Sequence, residues 1–148
     1  SWMERFLFRV MGEAELKRIL GPADFDRPVN LPALTSLLNR RGLVGLAKEE
    51  PVLAEAGPLF LAKVFRSLRS DDAEHRKALL TELVGFIKLV RDEDFDIDLW
   101  ASQNKWYTLR TDQSFMARLT PEESALMAAI GVALGFSANF DSGLIGLA

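Results

Sequence analysis

The sequence predicts an all-α fold, a bundle of six or seven helices with short connections. Two observations carry that expectation. Apolar residues recur at spacings of three and four along the chain, and no alternating run of useful length for a sheet appears. Capping and breaking residues then cut the pattern into helix-sized pieces.

The elements follow in order. Residues 2–20 read as a helix with Phe6, Leu7, Val10, Met11 and Ala14 on one side, a kink or split at Gly12, and a stop at Gly21-Pro22. Asp24 to Val29 is a connector. Asn30 caps a short helix with Pro32 in its first turn and Leu34, Leu37 and Leu38 inward, ending at Gly42 after Asn39-Arg40-Arg41. Residues 43–56 are ambiguous, and Gly57-Pro58 reads as the start of a clearer helix striped by Leu61, Val64, Phe65 and Leu68. Asp71 and Glu74 read as a capping box. They open the most regular helix, with Leu79, Leu80, Leu83, Phe86, Ile87 and Val90 on its core face. An aromatic helix follows, to about Arg110. The connector Thr111 to Leu119 contains a helical turn in which Phe115 and Met116 pack. Thr120-Pro-Glu-Glu123 is a strong helix start, with a hydroxyl cap, Pro at the first position and Glu at the third. The helix it opens is apolar nearly all round and is expected to be central, with Gly131 and Gly135 either letting a neighbouring backbone come close or ending it. The tail from Asp141 to Ala148 shows no period.

Composition bounds the rest. With 148 residues, 49% of them hydrophobic and 26% charged, the chain has the apolar content for one domain over 1–148 and is too apolar for disorder. A net charge of −3 argues against a general nucleic-acid binder. The absence of cysteine rules out disulfides, thiolate zinc sites and cysteine nucleophiles, and fits a reducing, cytoplasmic setting. No signal peptide pattern is visible. Ser1-Trp2-Met3 does not read as a natural start, so residues 1–148 are either a whole protein or a piece of a longer one. The uncharged stretch Ser124 to Phe140 is broken by Gly131, Gly135, Ser137 and Asn139 and reads as a core helix, not a membrane span.

The chemistry concentrates between Asp92 and Tyr107, which holds two of the three tryptophans, the only tyrosine and the densest acidic run. With Asp98 as cap and about 100° per residue, Gln103 falls at about 40° from Leu99, Tyr107 at about 80°, Trp100 at about 100° and Trp106 at about −20°. Gln103 then sits mid-face among aromatics with Asn104 at the edge, while Ala101, Ser102 and Lys105 point away. Trp100, Gln103, Asn104, Trp106 and Tyr107 are therefore the candidate ligand-binding residues. An amide in that setting can bond a polar ligand lying on the rings, or tie down a neighbouring backbone, which is the commoner use.

Other chemistries find little support. Asp92, Asp94, Asp96 and Asp98 alternate, but an EF-hand loop would need Gly and Glu where Ile97 and Gln103, or Leu99 and Lys105, stand. These acids suit a helix N-terminus without metal, and neither metal nor cofactor is expected. His75, the only histidine, lies among Glu74, Arg76 and Lys77 and reads as a surface residue. No phosphate loop, zinc-protease motif or repeat appears, and no catalytic residue is assigned.

The segment Phe95-Asp-Ile-Asp-Leu-Trp-Ala-Ser-Gln-Asn-Lys-Trp-Tyr107 resembles a Leu-Trp-x-x-Gln-Asn-x-x-Tyr segment. That segment lies near the end of multidomain proteins of glycoside hydrolase family 57, the α-amylase/α-mannosidase-like group. There too it follows a long amphipathic helix and precedes one closing on a Leu-Gly pair, here the helix to Arg91 and Ala133-Leu-Gly-Phe136. The resemblance covers roughly residues 78–136. It implies a helical C-terminal domain joined to a catalytic barrel that holds the catalytic carboxylates. The aromatic-amide face would pack on that barrel or contact saccharide. The functional expectation is a non-catalytic accessory or interaction domain of a carbohydrate-active enzyme, its partner a catalytic domain of the same or another chain. The alternative is a small ligand-binding protein or enzyme using the face of residues 96–110.

Overall fold

The computed structural model describes residues 2–21, 29–40, 48 and 50–138. The expected connector around Asp24, the Gly42 helix stop and the tail from Asp141 lie outside these residues. Among them the chain forms seven helices and no strand. Helix α1 joins Trp2–Leu7, a π-helical segment Phe8–Gly12 and Glu13–Leu20. Then come α2 (Leu31–Leu38), α3 (Pro51–Ser67), α4 (Ala73–Asp92), α5 (Trp100–Arg110), α6 (Gln113–Ala117) and α7 (Pro121–Ala133).

Several starts follow the local chemistry of the sequence. Asn30 accepts the Ala33 N–H at 3.1 Å and caps α2, which buries Leu31, Leu34, Leu37 and Leu38 and closes at Asn39. Thr120 and Glu123 form a reciprocal capping box at the head of α7. Two boundaries are corrected. The cap of α4 is Asp72, which accepts from the His75 N–H, while Asp71 is free of the helix and pairs with Arg118 at 2.9 Å. Helix α3 starts at Pro51 and runs through Gly57-Pro58. Pro51 at the first position loses no intrahelical bond. Gly57 is buried because the Ile97 side chain fills the space beside it: a Cβ there would lie 3.2 Å from Ile97 Cγ1. That contact holds a Gly-Pro pair in a helix interior, where propensity alone would end it.

Helix directions can be read from the contacts. Arg76 and Lys77 of α4 pair with Glu123 and Glu122 of α7, and Arg91 of α4 reaches the Leu134 carbonyl just past α7. The two helices thus run the same way. α5 runs against α7, with Gln103 near Leu134 and Trp106 near Met127. α3 lies on the other flank of α5, α2 packs on α4, and α1 packs through its second half on α2 and α3. The core stripe of α4 is as the sequence spacing requires: Leu79, Leu80, Leu83, Phe86, Ile87 and Val90 are all buried. One turn earlier the same stripe brings in Arg76.

Arg76 and Glu123 form a buried ion pair, with Arg76 Nη2 3.1 Å from Glu123 Oε1 and a second bond from Nε to Oε2. The guanidinium also donates to the Ser70 carbonyl at 3.2 Å and to the Arg118 carbonyl at 3.5 Å. Glu123 accepts from the Thr120 N–H as well, so one carboxylate caps α7 and clamps it to α4. The Arg76 hydrogen bond, outweighing burial, holds the Glu123 carboxyl below its ordinary value of 4.5. A lowered pKa contributes stability that is complete above the unfolded-state value and is lost as pH falls through the folded one. Glu123→Gln should therefore cost about 3–5 kcal/mol at neutral pH by stranding the buried guanidinium. It should also flatten the loss of stability of the parent below about pH 4.5. Urea melts of both proteins between neutral pH and pH 3 check this; parallel acid limbs would refute it.

Candidate functional site

The acidic run is an in-and-out segment. Phe95 and Ile97 are buried, while Asp94, Asp96 and Asp98 stay in solvent between them. Asp94 adopts φ 54°, a left-handed turn that Asp tolerates, and reverses the chain after α4. Asp98 Oδ1 accepts the Trp100 N–H at 2.9 Å, and the helix proper starts one residue later than the sequence suggests, after Leu99. The alternation of acids is the complement of apolar anchors. Among the described residues no three His, Cys, Asp or Glu side chains gather as metal ligands would.

Helix α5 turns a different face inward from the one centred on Gln103. Ser102, Trp106 and Leu109 are buried. Ser102, expected to point away, is inside because the stripe Leu99, Ser102, Trp106, Leu109 is centred near Trp106. Trp100 is 69% exposed and Tyr107 45%. They lie at about 80–100° on the helical wheel, beyond the edge of the contact with α7. Asn104 is exposed, and its amide nitrogen donates to the Trp100 carbonyl one turn back at 2.8 Å.

The five candidate residues therefore divide. Gln103 and Trp106 come together on α7. Gln103 Nε2 donates to the Leu134 carbonyl at 2.8 Å, at the C-terminus of α7, where carbonyls lack intrahelical partners. Arg91 Nη1 approaches the same oxygen at 3.4 Å. Gly135, at φ 100°, closes the helix: its N–H bonds the Val132 carbonyl, and the Phe136 N–H bonds the Gly131 carbonyl, both at 2.9 Å. Trp106 is 2% exposed, donates from Nε1 to the Met127 carbonyl at 2.8 Å, and stacks on Phe136 with ring centroids 4.6 Å apart. Its ring lies flush on Gly131, where a Cβ would come within 2.3 Å of Cζ2. Gly135 ends the helix as one of the two expected roles, while Gly131 admits the Trp106 ring rather than the neighbouring backbone that the sequence suggests. Trp100, Asn104 and Tyr107 remain at the surface of α5.

Two grooves among the described residues lie away from these side chains. A groove of about 610 Å³ runs between the second half of α1 and α3, floored by Leu20, Val52, Ala56 and Phe60. A smaller one of about 190 Å³ between α3 and α5 is lined by Phe65, Arg66, Arg69, Lys105, Thr108 and Leu109. Neither includes Gln103 or a tryptophan. His75 is exposed at the head of α4.

The largest departure from the sequence pattern concerns α1. Leu16 and Leu20 are its buried anchors, whereas Trp2, Met3, Phe6, Leu7, Val10 and Met11 are between 46% and 73% exposed. The stripe of Phe6, Leu7, Val10, Met11 and Ala14, which the sequence places on one side of the helix, faces solvent. Apolar exposure also appears on α7, where Ala125, Ala128 and Val132 are exposed, so this helix is central on one face only. Periodicity reports that a helix has an apolar side; it does not report what covers that side.

Compared with known proteins, the chain matches no protein-family model, no curated protein and no solved structure.

The α5–α7 contact makes opposed predictions for two glycines. Gly131→Ala should destabilise by about 1–3 kcal/mol, since the methyl displaces Trp106. Gly85→Ala on α4, where a Cβ meets nothing within 4 Å, should stabilise by about 0.5–1 kcal/mol through helix propensity. Gln103→Ala should cost about 1–3 kcal/mol and Trp106→Ala about 3–5, while Trp100→Ala stays within about 0.5. Denaturant melts of the five variants read this directly; a neutral Gln103→Ala or a costly Trp100→Ala would reverse the assignment of faces.

Proposed function

We propose that this chain is a non-catalytic helical accessory domain that acts by docking on another protein surface. The observation that carries this reading is the exposed apolar side of α1, six large side chains from Trp2 to Met11 that the core formed by the described residues does not cover. A contiguous apolar patch of that kind marks an interaction site. The alternative, a ligand pocket on the aromatic-amide helix, has less support: Gln103 and Trp106 are bonded into the interior, and the two grooves lie on other residues.

The resemblance to family 57 proteins supports a carbohydrate-active enzyme as the protein that this domain serves, with the catalytic residues on another domain. Of the matched residues, Gln103 bonds the carbonyl of Leu134 in the Leu134-Gly135 pair and so joins α5 to α7, while Trp100, Asn104 and Tyr107 stay at the surface. In this reading exposed Trp100 and Tyr107 on α5 pack against that catalytic domain or contact saccharide. A cytoplasmic setting fits the absence of cysteine. No helix among the described residues is long and apolar enough to cross a membrane.

Docking and core roles of the α1 stripe separate by stability. For a docking surface, Phe6→Ser combined with Val10→Ser leaves the dilute domain within about 0.5 kcal/mol of the parent for each site, as surface changes do. For a core face the pair costs more than about 3 kcal/mol. Urea melts at low protein concentration decide it, and the second result would remove the docking reading.

A further inference from the structure

The stripe that carries the docking reading has an internal symmetry. Its exposed members are Trp2, Met3, Phe6, Leu7, Val10 and Met11. They fall in adjacent pairs four apart, and the spacing is the same read from either end, with its centre between Phe6 and Leu7. A repeat of four drifts by about 40° per turn around an ordinary α-helix, so that its third pair would wind away from its first. Here the π-helical segment Phe8–Gly12 intervenes. Its wider turns turn the chain less per residue, which draws Val10 and Met11 back into line with Phe6 and Leu7. The backbone irregularity therefore has a consequence for the surface: one straight apolar seam where an ordinary helix would carry a wound one.

Pairs spaced evenly along one face can meet the pairs of a second, antiparallel copy about a two-fold axis, with i on j and j on i. We infer that the seam is covered by a second copy of this chain, the two α1 helices packing antiparallel about an axis between Phe6 and Leu7. Trp2 then meets Met11 of the second copy, Met3 meets Val10, and Phe6 meets Leu7, each contact occurring twice. A flexible Met beside Trp at each end suits that pairing, because thioether sulfur packs well on aromatic rings. The antiparallel order opposes the two helix dipoles. It also places the two helical bodies, each attached beyond Glu13, at opposite ends of the seam, whereas a parallel pair would bring them side by side at one end. Six side chains at these exposures offer roughly 600 Å² per copy, or about 1,200 Å² for the pair, the lower bound of stable interfaces. The pairing rests on the docking reading of α1 and names its partner. The accessory domain would then join two copies of whatever enzyme carries it.

The chain lacks cysteine, so single introduced thiols report the geometry without competition. Trp2→Cys mixed with Met11→Cys should give a disulfide-linked heterodimer under mild oxidation, because antiparallel pairing brings these positions within the reach of a disulfide. Trp2→Cys alone should not link to itself. The unmodified protein should sediment as a dimer, and Phe6→Glu should convert it to a monomer with an unchanged helical dichroism spectrum. A monomeric parent, a dimer that survives Phe6→Glu, an assembly larger than two, or self-linking of Trp2→Cys would each overturn the proposal. A monomeric parent whose Phe6→Ser/Val10→Ser form keeps its stability would remove self-pairing and leave the docking reading in place. A monomeric parent destabilised by that pair would remove both.

Discussion

The arrangement of this molecule depends on the Trp106 indole lying against Gly131. The contact requires both partners: a side chain large enough to reach across the gap between α5 and α7, and a helix position with no side chain to meet it. Close approach of that kind fixes the distance between two helices, and the Nε1 bond to the Met127 carbonyl fixes their offset along the axis. Gln103 then falls opposite the open end of α7, where a carbonyl without a helical partner needs a donor. Phe136 folds back over the indole because Gly135 turns the chain through a left-handed conformation.

The pair α4 and α7 is held at both ends by different chemistry. At the N-terminal ends charge dominates, with Arg76 to Glu123 inside and Lys77 to Glu122 outside. The exposed pair contributes little in water. The buried one is costly to break and sets the register, because either ion left alone in the interior would lack compensation. At the C-terminal ends a single carbonyl, that of Leu134, accepts from the Arg91 guanidinium of α4 and from the Gln103 amide of α5. Two parallel helices clamped at both ends make a rigid platform, and the in-and-out segment from Asp94 to Leu99 fastens α3 to it through Ile97 on Gly57. Among the described residues this interior holds together without the first turns of α1, whose apolar side chains stay exposed.

That division also explains why the aromatic-amide helix looks like a binding site in one dimension. Aromatic rings and amides serve ligands and helix ends by the same hydrogen bonds. On α5 the residues that face α7 are occupied by its main chain, and the residues one-third of a turn away remain in solvent. Rotating the helix by that amount would reverse the assignment, and a wheel drawn without neighbours carries no information about the rotation.

Local chemistry is what the sequence determined by itself. The all-α class, the core stripe of α4, the capping box at Thr120, the cap at Asn30 and the buried turn at Phe115 all rest on interactions between residues within a few positions of each other. Arg76 was also within reach, since it continues the α4 stripe by one turn, but its charge conceals it until Glu123 is placed beside it. Tertiary structure decided the remainder. It carried α3 through Gly57-Pro58 because Ile97 fills the space at the glycine. It turned Trp106 inward and Trp100 outward because Gly131 lies on one side of α5 only. It left the stripe of α1 in solvent because Leu16 and Leu20 suffice to anchor that helix. Each of these depends on a contact between residues far apart in the chain. Helical periodicity states that a face is apolar, and only the packed structure supplies the surface against which it is, or is not, buried.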